Sequence, residues 1–206
     1  MNPAFDELSP FDVASLVEAY PLAWVTAHFA GVDGASLLPL VGVYDEHRGL
    51  TSLIGHMSRA NPLAEMFATD PRALILFTGP QGYVSPEHAG LRDWAPTWNY
   101  AQLRVEAEVR FTPERTDAAL DMLIEQMEQG RVAPWQSTEL GARYAGMRKA
   151  IIGFEANVKR LAGRFKLGQD ENDTALTRIL ASHPDPALVE WMQRSNAGRG
   201  KSRASS

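Results

Sequence analysis

Two stretches of strict alternation restrict the fold of this chain more than any other feature. Leu103, Val105, Ala107, Val109 and Phe111 alternate with Arg104, Glu106, Glu108 and Arg110. Ile152, Phe154, Ala156 and Val158 repeat the pattern, so 151–161 reads as a second long strand. A period of two places one face of a strand on a core and the other in water. Ala73 to Thr78, by contrast, is a continuous apolar run, as in a strand buried on both faces.

The remaining segments fit around these strands. Ser9-Pro10 caps and opens a helix whose apolar face is Val13, Leu16 and Val17, and Pro21 ends it. Residues 22–29 read as extended, with a turn around Gly31, Asp33 and Gly34. Residues 37–44 and 50–57 form a hairpin across a polar turn, and a short helix starts near Asn61-Pro62. Residues 79–100 are crowded with Pro, Gly and aromatics and read as a loop that packs over the core or walls a pocket. Helices are expected over 113–129 and 139–150, from an Asp173 cap to about 182, and from Pro186 to about 194. The order is not the regular β-α-β alternation of a doubly wound fold. It predicts a mainly β, α+β fold, a small antiparallel barrel with peripheral helices. One domain is expected over 1–195, with a disordered Gly/Ser/Ala-rich tail over 196–206.

Composition removes several function classes. The chain has 206 residues, enough for a core without disulfides, and no Cys, which excludes thiol catalysis, zinc ribbons and Fe–S ligation. The net charge of -5 opposes binding nucleic acid by bulk charge. There is no helix-turn-helix and no basic stripe; Arg199, Lys201 and Arg203 are too few to read a sequence, so direct DNA binding is not expected. No apolar run reaches the roughly 18–20 residues that span a bilayer. The first eleven residues carry Asp6 and Glu7 and no base, unlike a signal peptide. A cytoplasmic protein without a membrane segment is expected.

His28, His47, His56, His88 and His183 lack metal-ligand spacing. Gly200-Lys201-Ser202 imitates the end of a phosphate-binding loop, but no strand precedes it. Four blocks carry more. Gly55 to Pro62 stands where a strand gives way to a helix, so Ser58, Arg59, Asn61 and backbone N–H groups could cradle a phosphate. The alternative is a capped turn with a solvated Arg. Gly79 to Pro86 and Ala95 to Tyr100 bring Tyr, Trp, Asn, Gln and Thr together, suited to a planar heterocycle or to a packed aromatic loop. Gly163 to Asp170 puts Arg164, Lys166 and Gln169 close together, as an anion site or as a solvated turn.

In this order the blocks resemble the PaiB-type family of FMN-binding negative transcriptional regulators. The resemblance runs through Gly55-His56, Arg59-Ala60-Asn61-Pro62, Phe77-Thr78-Gly79-Pro80, Tyr83-Val84-Ser85-Pro86, Pro96-Thr97-Trp98-Asn99-Tyr100 and Phe165-Lys166-Leu167 with Gln169. It implies an FMN-binding split β-barrel related to pyridoxamine-phosphate oxidase, forming a homodimer with two flavins at its interface. The implied cofactor-binding residues are His56, Ser58, Arg59, Asn61, Thr97, Trp98, Asn99, Lys166 and Gln169. The chain departs from the family at Leu37, where a His is frequent, at Glu87-His88 for Trp and Tyr, and at Gly168 and Asp170 for Ser and Asn. Flavin-dependent oxidoreductase capacity is one implied function. A regulator acting through a partner or metabolite is another, and a haem-binding barrel with His56 or His28 as axial ligand is a third.

Overall fold

The computed structural model describes residues 3–29 and 31–199. In chain order the elements are α1 (Pro10–Ala19), β1 (Leu22–Phe29), β2 (Val32–Tyr44), β3 (Leu50–Ser58), α2 (Pro62–Thr69), β4 (Arg72–Val84), α3 (Pro86–Ala89), β5 (Thr97–Phe111), α4 (Thr116–Glu128), α5 (Arg143–Lys149), β6 (Ile151–Lys166), α6 (Asp173–Ser182) and α7 (Pro186–Asn196). The strands close into a barrel in the order β1-β2-β3-β6-β5-β4. The pairs β1–β2, β2–β3, β3–β6 and β1–β4 are antiparallel. The α+β barrel expected from the alternation is the fold.

The chain divides into two compact units. The barrel unit comprises Ser9–Phe77 and Leu103–Ala162, so all six strands contribute to it. Its interior is one face of each strand: Val25, Leu40, Leu53, Ile75, Leu103, Val105 and Phe154 are all buried. Residues between them on β5 (Arg104, Glu108 and Arg110) are exposed. Burying each Leu, Ile or Phe contributes about 1.5–3 kcal/mol, so the alternation carries most of the drive to fold. Helix α1 adds Val13, Leu16 and Val17 to this core. Its Ser9 and Asp12 form the capping box that the Ser-Pro start suggested.

The second unit comprises the described parts of Met1–Leu8, Thr78–Gln102 and Gly163–Ser206. Its core holds Phe5, Val84, Phe165, Leu167, Ile179, Leu188 and Met192. The Phe165 and Trp191 rings lie 5.6 Å apart within it.

Several expectations need correction here. Residues 79–100 are not one loop: β4 runs on to Val84, α3 follows, and β5 begins at Thr97. Sheet pairing overrides the local preference of Gly and Pro, and Pro80 gives up only one ladder donor. Strand β6 likewise extends to Lys166, so Gly163 to Lys166 is strand and not turn. The predicted helices over 113–129 and 139–150 each begin with a 3-10 turn, Pro113–Arg115 and Ser137–Leu140. The cap of α6 is Asn172, whose side chain accepts from the Ala175 N–H, rather than Asp173. The tail expected over 196–206 overlaps α7, whose last residue Asn196 is buried and donates to the Leu167 and Met192 carbonyls. Residues 200–206, with Gly200-Lys201-Ser202, lie outside the described residues. Among those described, no helix is long and apolar enough to cross a membrane.

Gly153 fastens α4 to the barrel. Its N–H donates to Thr116 Oγ1 at 2.9 Å, and a Cβ there would stand 2.9 Å from the Thr116 Cα. Backbone cannot retreat as a side chain can, so Gly153→Ala should destabilise the protein by about 1–3 kcal/mol. Gly146, inside α5, has nothing within 4 Å of such a Cβ, and Gly146→Ala should stabilise by up to about 1 kcal/mol. Urea midpoints of the two variants, moving in opposite directions, check both.

Candidate functional site

Three of the predicted residues are joined at the β3–α2 junction in the barrel unit. Asn61 caps α2 with Oδ1 accepting from the Leu63 N–H at 3.0 Å, while its Nδ2 reaches Ser36 Oγ at 3.0 Å. Ser58 Oγ accepts from the Ala60 N–H at 3.2 Å. The Arg59 N–H donates to the Ala150 carbonyl and the Asn61 N–H to the Ser58 carbonyl. The backbone N–H groups of this turn are therefore spent internally, and the expected backbone cradle for a phosphate is not available. Arg59 itself is exposed and donates from Nε to the Lys149 carbonyl at 3.2 Å, capping the end of α5. The Nη edge of its guanidinium forms no hydrogen bond among the described residues, and the fork it presents suits a phosphate.

His56 lies on β3 opposite Gly153, on the outer face of the barrel. It is half-buried, and Nδ1 has no hydrogen-bond partner. Burial holds the imidazole below its ordinary pKa, hence uncharged at neutral pH. His28 differs: it is exposed, and its Nδ1 lies 2.5 Å from Asp33 Oδ1.

The other predicted residues belong to the second unit. Lys166 donates to Thr97 Oγ1 at 2.5 Å and lies 5.9 Å from the Phe5 ring. It pairs with no carboxylate among the described residues, whereas the charge of Arg164 is met by Asp6 at 2.6 Å. Trp98 and Tyr83 are half-exposed, at 50% and 49%, with rings 6.0 Å apart. The indole N–H of Trp98 donates to Gln81 Oε1 at 2.9 Å. Asn99 is only 1% exposed; Nδ2 meets Met192 Sδ at 3.5 Å and Oδ1 has no partner. Gln169 accepts from the Leu167 N–H and donates to the Phe165 carbonyl, both at 2.7 Å. Both ends of its amide thus close the turn at Gly168, leaving Gln169 a local brace.

A cavity of about 890 Å3 lies elsewhere in the barrel unit, lined by Tyr44 and Trp135 with Glu18, Asp121, Glu125 and Glu128. Its lining residues include no cation, although Arg48 pairs with Glu18 and Arg131 with Glu128, and burial with Glu18 alongside pushes the Tyr44 phenol up, keeping it neutral. Asp121 and Glu125 remain without an ion pair among the described residues, so the wall does not favour a phosphate. In the barrel unit, Arg59 suits a dianion, and His56 Nδ1, without a hydrogen bond among the described residues, suits a polar edge; in the second unit, Lys166 suits an anion, the Trp98 face beside Tyr83 a flat ring, and Asn99 Oδ1, also without a hydrogen bond among the described residues, a polar edge. Among the described residues no cluster of three or more His, Asp or Glu could hold a metal ion.

A family model described as "Putative FMN-binding domain" matches residues 1–160. The chain is 27% identical over 173 residues to the Bacillus subtilis (strain 168) protein called "Protease synthase and sporulation protein PAI 2", covering 82% of this chain and 81% of that one. It is 26% identical over 151 residues to an uncharacterised protein of Emericella nidulans, covering 57% of this chain and 60% of that one. The solved structure of the FAD and haem binding protein from Mycobacterium smegmatis has a TM-score of 0.63, at 18% identity over 84% of this chain and 79% of that one. At that identity the likeness concerns the fold alone.

A buried acceptor without a donor destabilises a protein by about 1–3 kcal/mol. Asn99→Leu, of similar volume, removes that orphan. The cofactor-free variant should melt at or above the wild-type temperature, while its FMN affinity falls. A lower melting temperature without cofactor would make Asn99 a structural residue.

Proposed function

Because the chain belongs to the FMN-binding family whose model its residues 1–160 match, we propose that it is a split-barrel flavoprotein with oxidoreductase capacity, holding FMN by its phosphate through Arg59. The observation that carries this reading is the Arg59 guanidinium, anchored at Nε with its Nη edge open. Lys166 with Thr97, the Trp98 face and Asn99 are the further contacts proposed for the cofactor. When bound, FMN supplies hydride or electron transfer. The chain's part is to bind and orient it. His56, uncharged and lacking a partner at Nδ1, can accept one hydrogen bond there without moving a proton. A regulatory role would act through a partner or a metabolite, since the net charge of -5 opposes approach to DNA.

A homodimer is part of the proposal. On β1 and β2, Trp24 stands directly opposite Leu37, and both are exposed, at 50% and 45%. Leu22 continues this face. An apolar sheet face of this kind is what a second copy covers in a two-fold assembly. The wild type should sediment as a dimer at micromolar concentration, and Trp24→Glu should shift it to monomer. A monomeric wild type contradicts the proposal.

Arg59→Ala should weaken FMN binding by about 1.5–3 kcal/mol, the range for hydrogen bonds to charged groups. That is roughly ten- to more than a hundredfold in Kd. Riboflavin, without the phosphate, should be unaffected, and Arg59→Lys should recover only part of the loss. Arg59 also caps α5, so equal losses for FMN and riboflavin would mean that the variant acts through the fold. No loss for either places the phosphate elsewhere.

A further inference from the structure

Two histidines outside the flavin blocks are built into turns in an unusual way. His88 is the third residue of α3, the position where a capping box carries Glu or Gln. Its Nδ1 accepts from the Ser85 N–H at 3.2 Å, closing the box with an imidazole in place of a carboxylate or amide. His183 ends α6, and its Nδ1 accepts from the N–H of Asp185, the cap of α7, at 3.2 Å. With Nδ1 an acceptor, the remaining proton sits on Nε2, which donates to the Tyr83 carbonyl at 3.2 Å. The two rings meet edge to face with centroids 5.0 Å apart. Both residues are half-buried.

We propose that His88 and His183 form an acid-released latch that ties the end of β4, α3 and the start of α7 together only while both imidazoles are neutral. Each ring needs an unprotonated Nδ1, because a backbone N–H points at it. A proton there would face another N–H, and the two rings would become cations 5.0 Å apart. The surroundings do little to offset this. The ionisable side chains on the elements packed here are Arg72 and Tyr83 on β4, Glu87 on α3, Asp173 and Arg178 on α6, and Glu190 and Arg194 on α7 with its cap Asp185. Arg178 is a further cation, donating to the Gly90 carbonyl just past α3. Asp185 uses Oδ1 to accept from the Ala187 and Leu188 N–H groups. Neither histidine forms an ion pair among the described residues. A proton at either Nδ1 is therefore compatible only with the open latch, so acid favours opening and neutral pH favours closure.

The latch holds the carbonyl of Tyr83, whose ring neighbours Trp98. Acid opening therefore loosens the strand end that carries the exposed aromatic pair. The inference does not depend on the flavin reading, and its test uses the cofactor-free full-length protein. Nitrogen-detected NMR of the wild-type imidazoles should show both rings as Nε2–H tautomers at neutral pH. Exchange protection of the Ser85 and Asp185 amides, corrected for intrinsic rates, should fall at least about tenfold between neutral pH and about pH 5. In His88→Gln, which keeps a capping-box acceptor, the acid response at Ser85 should vanish. In His183→Asn, which can accept as an Asx turn, the response at Asp185 should vanish. Nδ1–H tautomers at neutral pH, or pH-independent protection of the two amides, overturn the latch. So does an unchanged acid response in both variants.

Discussion

The filled interior of the barrel is the constraint on which everything else depends. Six strands enclose too little space for a ligand, and inward side chains take what there is. Leu40, Leu53, Ile75, Leu103 and Phe154 are fully buried there. Any chemistry must then sit on outward faces, at strand ends and in the segments between strands. That is where Ser58, Arg59, Thr97, Trp98 and Lys166 stand. The same constraint sets the polar requirements. Outward residues meet water, a helix or a partner, and a buried polar atom among them with no hydrogen bond is a cost the fold bears for another reason. His56 Nδ1 is one such atom, and Asn99 Oδ1, on the buried face of β5 with Ala101 and Leu103, is a second buried acceptor without a hydrogen bond among the described residues.

The cations divide by what they rest on. Arg48, Arg72, Arg104, Arg110, Arg131, Arg148, Lys159 and Arg164 each face a carboxylate. Arg59, Lys166 and Arg178 show no carboxylate partner among the described residues; they rest on a carbonyl, a hydroxyl and a carbonyl, neutral partners that orient a cation without neutralising it. In an acidic chain, Arg59 held this way, with its Nη edge open, suits an anion such as the phosphate of FMN.

Much of this was legible in the sequence, for reasons that can be traced to particular residues. Alternation located β5 and β6 because half of each strand packs inward, and Asn61-Pro62 located the start of α2 because capping is local. The outer ends of the strands were hidden. Pro80, Gly82 and Gly163 disfavour a strand locally, and only pairing with distant neighbours makes those segments extended. The capping role of Arg59 was equally hidden, since the carbonyl it caps lies 90 residues along the chain. Gln169 carried the right chemistry for a ligand, but the turn at Gly168 consumes both ends of its amide. His88 escaped notice because a capping box is recognised by Glu or Gln, and the substitution of an imidazole shows only in the geometry.

The central claim is that the outer face of a filled barrel carries FMN. The most direct measurement is the absorption spectrum of the protein as purified and after incubation with FMN, with the released chromophore identified by chromatography. The account predicts a flavin spectrum and FMN as the only chromophore released. A haem spectrum, or a colourless protein that takes up no FMN, would contradict it.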